Sequence, residues 1–329
     1  MKRVLPRAAT GLAFLVLTVA LAAPIPARAQ TFPTGPVRIV LPFATGGALD
    51  VMARAVAASM TATLGQSVFV ESRPGGNSVI GTRAVARAAP DGHTILIQAT
   101  AFLVVPAMMP STPTYDPLKE FAPISNVSLV SQVLVVPPSS AAKTTAEFIA
   151  LAKARPGALN YGSGGAGTSA HMAAELLMRQ AGLQLVHVPY KGNAPALVDL
   201  LGGRLDLMFD NIPSLLQHIA AGRLRPLGVT SLKRSPLLTE VPAISETVPG
   251  YEASIFQGLF APAGTPPAVL ARLHAAVVRF TDDPANKERF AQQGTLLEGS
   301  VSPQAFATRL AADSEKWVGI VREAGIRAE

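Results

Sequence analysis

The sequence contains no cysteine among its 329 residues, which excludes a disulfide framework and a lipid-modified cysteine. Charged residues make up only 15% of the chain, and no basic run stands out, so the composition gives no argument for nucleic-acid binding. Beyond the N-terminal segment, proline, glycine or charge interrupts every apolar run before it approaches the length of a membrane span. These absences predict a soluble protein.

The N-terminal segment has the pattern of a secretory signal peptide. A basic start at residues 2–7 precedes the apolar run Gly11–Ala23, which is too short to cross a bilayer. The small residues of Ala27–Ala29 then offer a cleavage site, so residues 1–29 are predicted to be removed and Gln30 to be the first mature residue. We therefore expect export to the periplasm. The alternative is an N-terminal membrane anchor.

Removing that segment changes the charge balance. Residues 1–29 hold four of the 28 Lys and Arg residues and none of the 21 Asp and Glu residues. The remaining 300 residues carry 24 basic and 21 acidic side chains, a net charge of +3. A chain of that length can bury a large core and exceeds the usual size of one compact domain.

Strands alternate with helices along these 300 residues, which predicts parallel sheets in an α/β fold. The predicted strands are Val37–Leu41, Val68–Val70, Thr94–Gln98, Leu159–Tyr161, Leu185–Val188, Leu205–Phe209, Arg225–Val229 and Gly258–Pro262, with an extended stretch at Asn126–Pro137. The predicted helices are Leu49–Leu64, Val79–Ala88, Thr145–Ala154, Thr168–Ala181, Pro195–Leu201, Ile212–Ala221, Pro267–Thr281, Pro284–Gln293 and Pro303–Ala324. Two such series joined by extended crossings predict two lobes with a cleft between them.

Two glycine-rich junctions, each leading from a strand into a helix, are the most informative feature of the sequence. They occupy Arg38–Arg54 and Leu159–Leu177. Each leaves free backbone N–H groups at a helix N-terminus, where the helix dipole also favours negative charge. Ligands of open α/β sheets bind beyond the carboxyl ends of the strands. If the lobes face each other, both junctions line one cleft and hold a small anion between them.

Enzymatic and metal chemistry were weighed on the same residues. Ser163, His171 and Asp210 supply the residue types of a serine hydrolase, but position 161 is Tyr where a nucleophile elbow needs glycine. Residues 162–167 match G-x-G-x-x-G, yet no acidic residue follows at the distance that dinucleotide binding requires. His171 and Glu175 lie four apart on one helix face, which is half a metal site at most. We expect neither an enzyme nor a cofactor.

The motifs resemble those of the periplasmic solute-binding proteins of tripartite tricarboxylate transporters, the Bug family. The matching stretches run in the family's order over nearly all of the chain after residue 29. They are Pro42–Gly47 with Asp50, Glu71–Gly76, Pro90–Gly92, Asn160–His171, His187–Gly192, Asp199–Gly203, Met208–Asp210 and Leu259–Pro266.

The resemblance implies a type II periplasmic binding-protein fold, with two α/β lobes and a ligand cleft between them. Lobe 1 is expected at residues 30–130 and 252–329, and lobe 2 at residues 131–251. The implied function is capture of a small organic anion, usually a carboxylate, by lobe closure and its delivery to integral membrane transporter subunits. We expect a monomer. An orphan receptor that serves a signalling system stays open as an alternative.

The resemblance also implies the ligand contacts, largely through backbone N–H groups and small hydroxyls. The expected ligand-binding residues are Phe43, Ala44, Gly46, Gly47, Ala48, Asp50, Ser163, Gly164, Gly167, Thr168, His171, Tyr190 and Asp210. Family members commonly have tryptophan at the position of Phe256, so we also expect that side chain near the ligand. Asp50 and Asp210 have an alternative role as helix caps, and His171 has one as a structural histidine.

Overall fold

A computed structural model describes residues 32–112 and 114–328. The predicted signal peptide lies outside the described residues. Within them, no helix is both long and apolar enough to cross a membrane.

The first sheet has six strands in the order β11-β4-β10-β3-β1-β2. Their bounds are β1 Val37–Leu41, β2 Val68–Ser72, β3 Thr94–Ala99, β4 Phe121–Val130, β10 Ile255–Pro262 and β11 Thr295–Leu297. Strands β1, β2 and β3 pair in parallel. Strand β10 lies antiparallel to both β3 and β4, and β11 lies antiparallel to β4.

The second sheet has five strands in the order β7-β6-β8-β5-β9. Their bounds are β5 Gln132–Val136, β6 Asn160–Ser163, β7 Val186–Pro189, β8 Leu207–Asn211 and β9 Arg225–Val229. Strands β6, β7 and β8 pair in parallel, whereas β5 is antiparallel to β8 and β9. The prediction of parallel sheets is therefore wrong for part of each sheet, because both mix directions.

The described residues form ten α-helices and a short 3-10 helix at Ile244–Glu246. The helices are α1 Ala48–Leu64, α2 Val79–Ala86, α3 Ala101–Met108, α4 Thr145–Ala154, α5 Ser169–Ala181, α6 Asn193–Leu201, α7 Ile212–Ala220, α8 Pro267–Asp282, α9 Pro284–Ala291 and α10 Pro303–Glu323. Short polar side chains begin several of them: Thr144, Asp283 and Ser302 each accept an N–H from the first turn that follows.

Two elements were not predicted from the sequence. Helix α3 has a proline at position 106 and an almost continuous apolar run, so it shows no helical periodicity. Strand β11 has only three residues and lies at the edge of the first sheet. Length and periodicity, the two signals on which sequence interpretation depends, are absent from both.

The chain passes between the two sheets twice. Ser131 separates β4 from β5, and the segment between β9 and β10 leads back to the first sheet. The two crossings bond to each other at Thr230, whose N–H donates to the carbonyl oxygen of Gln132 and whose own carbonyl oxygen accepts the N–H of Ala253. Ser131 Oγ also lies 2.9 Å from Ser231 Oγ. This pairing forms the link on which the two sheets are joined.

An aromatic cluster packs α3 against the first sheet. The ring of Phe102 lies 4.4 Å from that of Phe260 and 5.1 Å from that of Phe121, between centroids. Tyr115 stacks on Phe102 at 5.5 Å. All four side chains are buried. The cluster fixes the helix that the sequence did not reveal.

We expect Phe102→Ala to lower the free energy of unfolding by roughly 3–5 kcal/mol, since it removes a buried ring and leaves a cavity. Phe69→Ala is the matched control because Phe69 lies on β2 with 46% of its surface exposed. It should cost about 1 kcal/mol or less. Urea unfolding of both variants measures the difference, and equal costs would contradict this account of the core.

Candidate functional site

The two glycine-rich junctions meet at one cavity of about 370 Å³, here called the outer cavity. The first junction contributes Phe43, and the second contributes Ala166, Gly167 and Thr168. Helix α3 forms the wall between them. The remaining lining residues are Asn77, Ala101, Val104, Val105, Met108 and Ala328.

A smaller cavity of about 180 Å³, here called the inner chamber, lies against the link between the sheets. It shares Ala101, Val104, Gly167 and Thr168 with the outer cavity. Its other lining residues are Ala99, Thr100, Ser169, Met172, Ala253, Ser254, Ile255 and Trp317. The two cavities therefore meet at the N-terminal ends of α3 and α5.

The first junction is ordered by Asp50. Gly46 has a φ of +90°, and its N–H donates to Asp50 Oδ2 at 2.9 Å. Arg54 Nε lies 2.9 Å from Asp50 Oδ1. The hydrogen bond from Gly46 lowers the pKa of the buried Asp50 carboxyl; burial acts in the opposite direction, and Arg54 adds to the lowering. The carboxylate thus organises its own loop, and its direct contact with a ligand stays a prediction.

The rest of the first junction is open to solvent. Ala44, Gly46, Gly47 and Ala48 are exposed. In the described part of the chain, the N–H groups of Ala48 and Leu49 have no acceptor. These amides lie at the N-terminus of α1, where an anion is favoured.

His171 orders the second junction in the same way. Gly167 has a φ of +71°, and its N–H donates to His171 Nδ1 at 3.0 Å. A Cβ on Gly167 would lie 2.3 Å from Met108 Cε, so only glycine fits between the loop and α3. The N–H groups of Gly46 and Gly167 are thus both used inside their loops and are not free for a ligand.

A buried polar network supports the second junction from below. Ser163 Oγ lies 2.6 Å from His187 Nε2 and accepts the N–H of Gly165 at 3.1 Å. The imidazoles of His171 and His187 stack with their centroids 3.9 Å apart. Ser163 is fully buried, so its role as a direct ligand contact is not supported by its position.

Glu175 closes this network on the side away from the loop. It accepts a hydrogen bond from Tyr161 at 2.7 Å, and His171 Nε2 lies 3.3 Å from the same oxygen. Burial acts to raise the pKa of Glu175, but the hydrogen bonds from His171 and Tyr161 outweigh it and the pKa is lowered. Burial, with a contribution from His171, lowers the pKa of His187 to about 4.

Two predicted ligand contacts lie within the second lobe's own packing. The Tyr190 hydroxyl donates to Asp199 at 2.6 Å and packs beside α6. Asp210 Oδ1 accepts hydrogen bonds from Asn193 Nδ2 at 2.6 Å and from the N–H of Asn211. A Cβ on Gly164 would lie 2.6 Å from Asn193 Oδ1, so this pair supports the loop backbone. Neither residue lines the outer cavity or the inner chamber.

The serine hydrolase hypothesis fails on this geometry. Ser163 pairs with His187 instead of His171, and Asp210 pairs with Asn193 and Asn211. No Ser-His-Asp relay results. Within residues 32–112 and 114–328, no group of three or more His, Cys, Asp and Glu residues could hold a metal ion.

Sequence reasoning missed a third strand-to-helix junction, at Ala99–Ala101, and the contribution of α10. The first lacks glycine, but a strand followed by a turn into a helix was the same signal that identified the other two. Phe256 was expected near the ligand and instead packs in the core against Phe260 and Phe306. The indole at the cavity belongs to Trp317.

The neutral state of His187 predicts a pH dependence. The folded protein resists protonation of His187 down to about pH 4, whereas the unfolded chain takes up that proton near pH 6.5. The free energy of unfolding should therefore fall as the pH is lowered from 6.5 towards 4. Urea unfolding between pH 6.5 and 5 measures the slope, and His187→Gln should flatten it. An equal slope in both proteins would contradict this assignment.

The comparisons with known proteins agree with this architecture. Residues 52–326 match the family described as "Tripartite tricarboxylate transporter family receptor". BugT of Bordetella pertussis is 36% identical over 315 residues, which cover 95% of each chain. A solved R. palustris protein with adipate is 34% identical, with a TM-score of 0.72 over 90% of this chain and 99% of that one.

MatC from Rhodopseudomonas palustris, solved with bound malate, is 30% identical, with a TM-score of 0.68 over 88% of this chain and all of that one. These likenesses confirm the predicted fold class and the resemblance to the Bug family. The family is one of receptors and not of enzymes. This chain belongs to the receptor family of the tripartite tricarboxylate transporters.

Proposed function

We propose that this chain captures a small carboxylate between its two lobes and delivers it to the membrane subunits of a tripartite transporter. The observation that carries the proposal is the outer cavity, which loops from both sheets line together. The relatives solved with adipate and with malate support a carboxylate as the ligand class.

The electrostatics of the site agree with an anionic ligand that binds to amides. Helices α1, α3 and α5 begin around the two cavities, and each helix N-terminus favours negative charge. No Lys or Arg lines either cavity. A carboxylate would therefore be held by backbone N–H groups and hydroxyls, with the aliphatic side chains of α3 against its carbon skeleton.

Capture requires the lobes to close on the ligand. Residues 30–130 with 252–329 would move against residues 131–251, about the link at Thr230. A ligand shifts this equilibrium only if it contacts the closed form better than the open form. The N–H groups of Ser169 and Ala170, which have no acceptor in the described part of the chain, would complete the shell from the second lobe.

The proposal includes the setting in which the protein acts. Residues 1–29 would direct export to the periplasm and be removed after Ala29. The mature chain would act there as a monomer that carries its ligand to the transporter.

We expect small mono- and dicarboxylates to raise the melting temperature of ligand-free protein. A ligand at about 100 times its Kd stabilises the folded state by roughly 2.7 kcal/mol, and the effect grows with the logarithm of concentration. Differential scanning fluorimetry against a carboxylate panel measures this, with the corresponding primary amides as uncharged controls. A panel in which no acid shifts the transition, or in which the amides act equally, would contradict the proposal.

We also expect Gly167→Ala to weaken carboxylate binding by about tenfold or more, equivalent to roughly 1.4 kcal/mol. The new methyl group would displace Met108 and move the loop at the cavity wall. Gly157→Ala is the matched control: Gly157 has a φ of +69°, nearly the same as that of Gly167, but nothing lies within 4 Å of its added Cβ. Calorimetric titration of both variants should show loss of affinity only in Gly167→Ala.

A further inference from the structure

The inner chamber carries polar groups whose hydrogen bonds are unfilled. Thr100 Oγ1 and Ser254 Oγ are buried and have no partner, and Ser254 as a whole is only 8% exposed. Both residues line the chamber. A buried hydroxyl without a partner costs free energy, and rotation about its Cα–Cβ bond can turn it towards a group in the chamber.

A third hydroxyl in the chamber is oriented by the link between the sheets. Gln132 Nε2 donates to Ser169 Oγ at 3.3 Å, and Gln132 itself is buried beside Thr230. Because Ser169 Oγ accepts this bond, its own proton is available to an oxygen in the chamber. Gln132 is therefore a positioning residue for Ser169.

The chamber's field favours the same kind of group. Helices α3 and α5 both begin at its wall, and in the described part of the chain the N–H groups of Ala101, Phe102, Ser169 and Ala170 have no acceptor. No charged side chain lines the chamber. Hydroxyls that can donate, free amides and two helix N-termini together select an acceptor-rich, negatively charged group.

Apolar side chains separate these donors from the outer cavity. Val104, which belongs to both cavities, stands at the passage between them, and Met172 and Trp317 line the chamber beyond it. A carbon chain fits such a passage, whereas a polar group there would lose its hydrogen bonds.

We propose that the inner chamber is a second subsite, which binds the far carboxylate of a linear dicarboxylate through Thr100, Ser169 and Ser254. The first carboxylate lies in the outer cavity, and the methylene chain passes Val104. This inference depends on the proposed function, since it assigns the second half of the ligand in the same cleft. It makes Thr100 and Ser254 specificity-determining residues that distinguish dicarboxylates from monocarboxylates.

Trp317 provides a direct measure of occupancy, because it is the only tryptophan of the chain and lines the chamber. Adipate and hexanoate, with six carbons each, are the probes. We expect adipate to change the emission of Trp317 and to bind at least about tenfold more tightly than hexanoate. Hexanoate should bind in the outer cavity and change the emission little.

The variant Thr100→Val with Ser254→Ala should weaken adipate binding by about tenfold or more and leave the Kd of hexanoate within about twofold. Thr308→Val is the control, since Thr308 lies on the exposed face of α10 and bonds only to its own helix. Calorimetric titration measures both acids on all three proteins, and the melting temperature of each variant verifies its fold.

The outcomes separate this inference from the proposed function. Equal weakening of both acids, an unchanged Kd for adipate, or an unchanged Trp317 emission with adipate bound would overturn the second subsite while leaving carboxylate capture intact. Failure of the unsubstituted protein to bind any carboxylate would contradict the proposed function, and the subsite with it.

Discussion

One hydrogen bond recurs at both junctions, and the geometry of the cleft depends on it. At each, a glycine in the left-handed region donates its N–H to a side chain four residues later, on the first turn of the following helix. Gly46 donates to Asp50 in the first junction, and Gly167 donates to His171 in the second. The bond fixes the loop from inside the protein, so the neighbouring amides at the helix N-terminus keep their orientation without a ligand.

The same bond decides which polar groups can serve a ligand. An amide that orders its own loop is not available to a solute, so the residues most conspicuous in the sequence are supports for the site. The free donors are those one or two positions further on, such as Ala48 in the first junction and Ser169 in the second. Binding through such amides requires no cationic side chain, which agrees with the uncharged lining of both cavities.

The second lobe adds a buried network whose charge is confined. Glu175 is held by Tyr161 and His171, and His187 stays neutral against Ser163. Hydrogen-bonded polar groups in a low-dielectric interior fix a single arrangement, because each unfilled bond would be costly. The network therefore gives the second junction the rigidity that the Asp50–Arg54 pair gives the first.

The sequence by itself determined the alternation of strands and helices, the two glycine-rich junctions and the family, because each depends on local periodicity or on ordered motifs. It could not reveal helix α3, whose apolar run has no period, or the mixed strand directions, which arise where the chain crosses between sheets. Only the tertiary structure decided that His187 pairs with Ser163, and that Trp317 lies beside Thr100 at the chamber. Those contacts join residues 24 and 217 positions apart, and such long-range proximity follows from packing that no local pattern encodes.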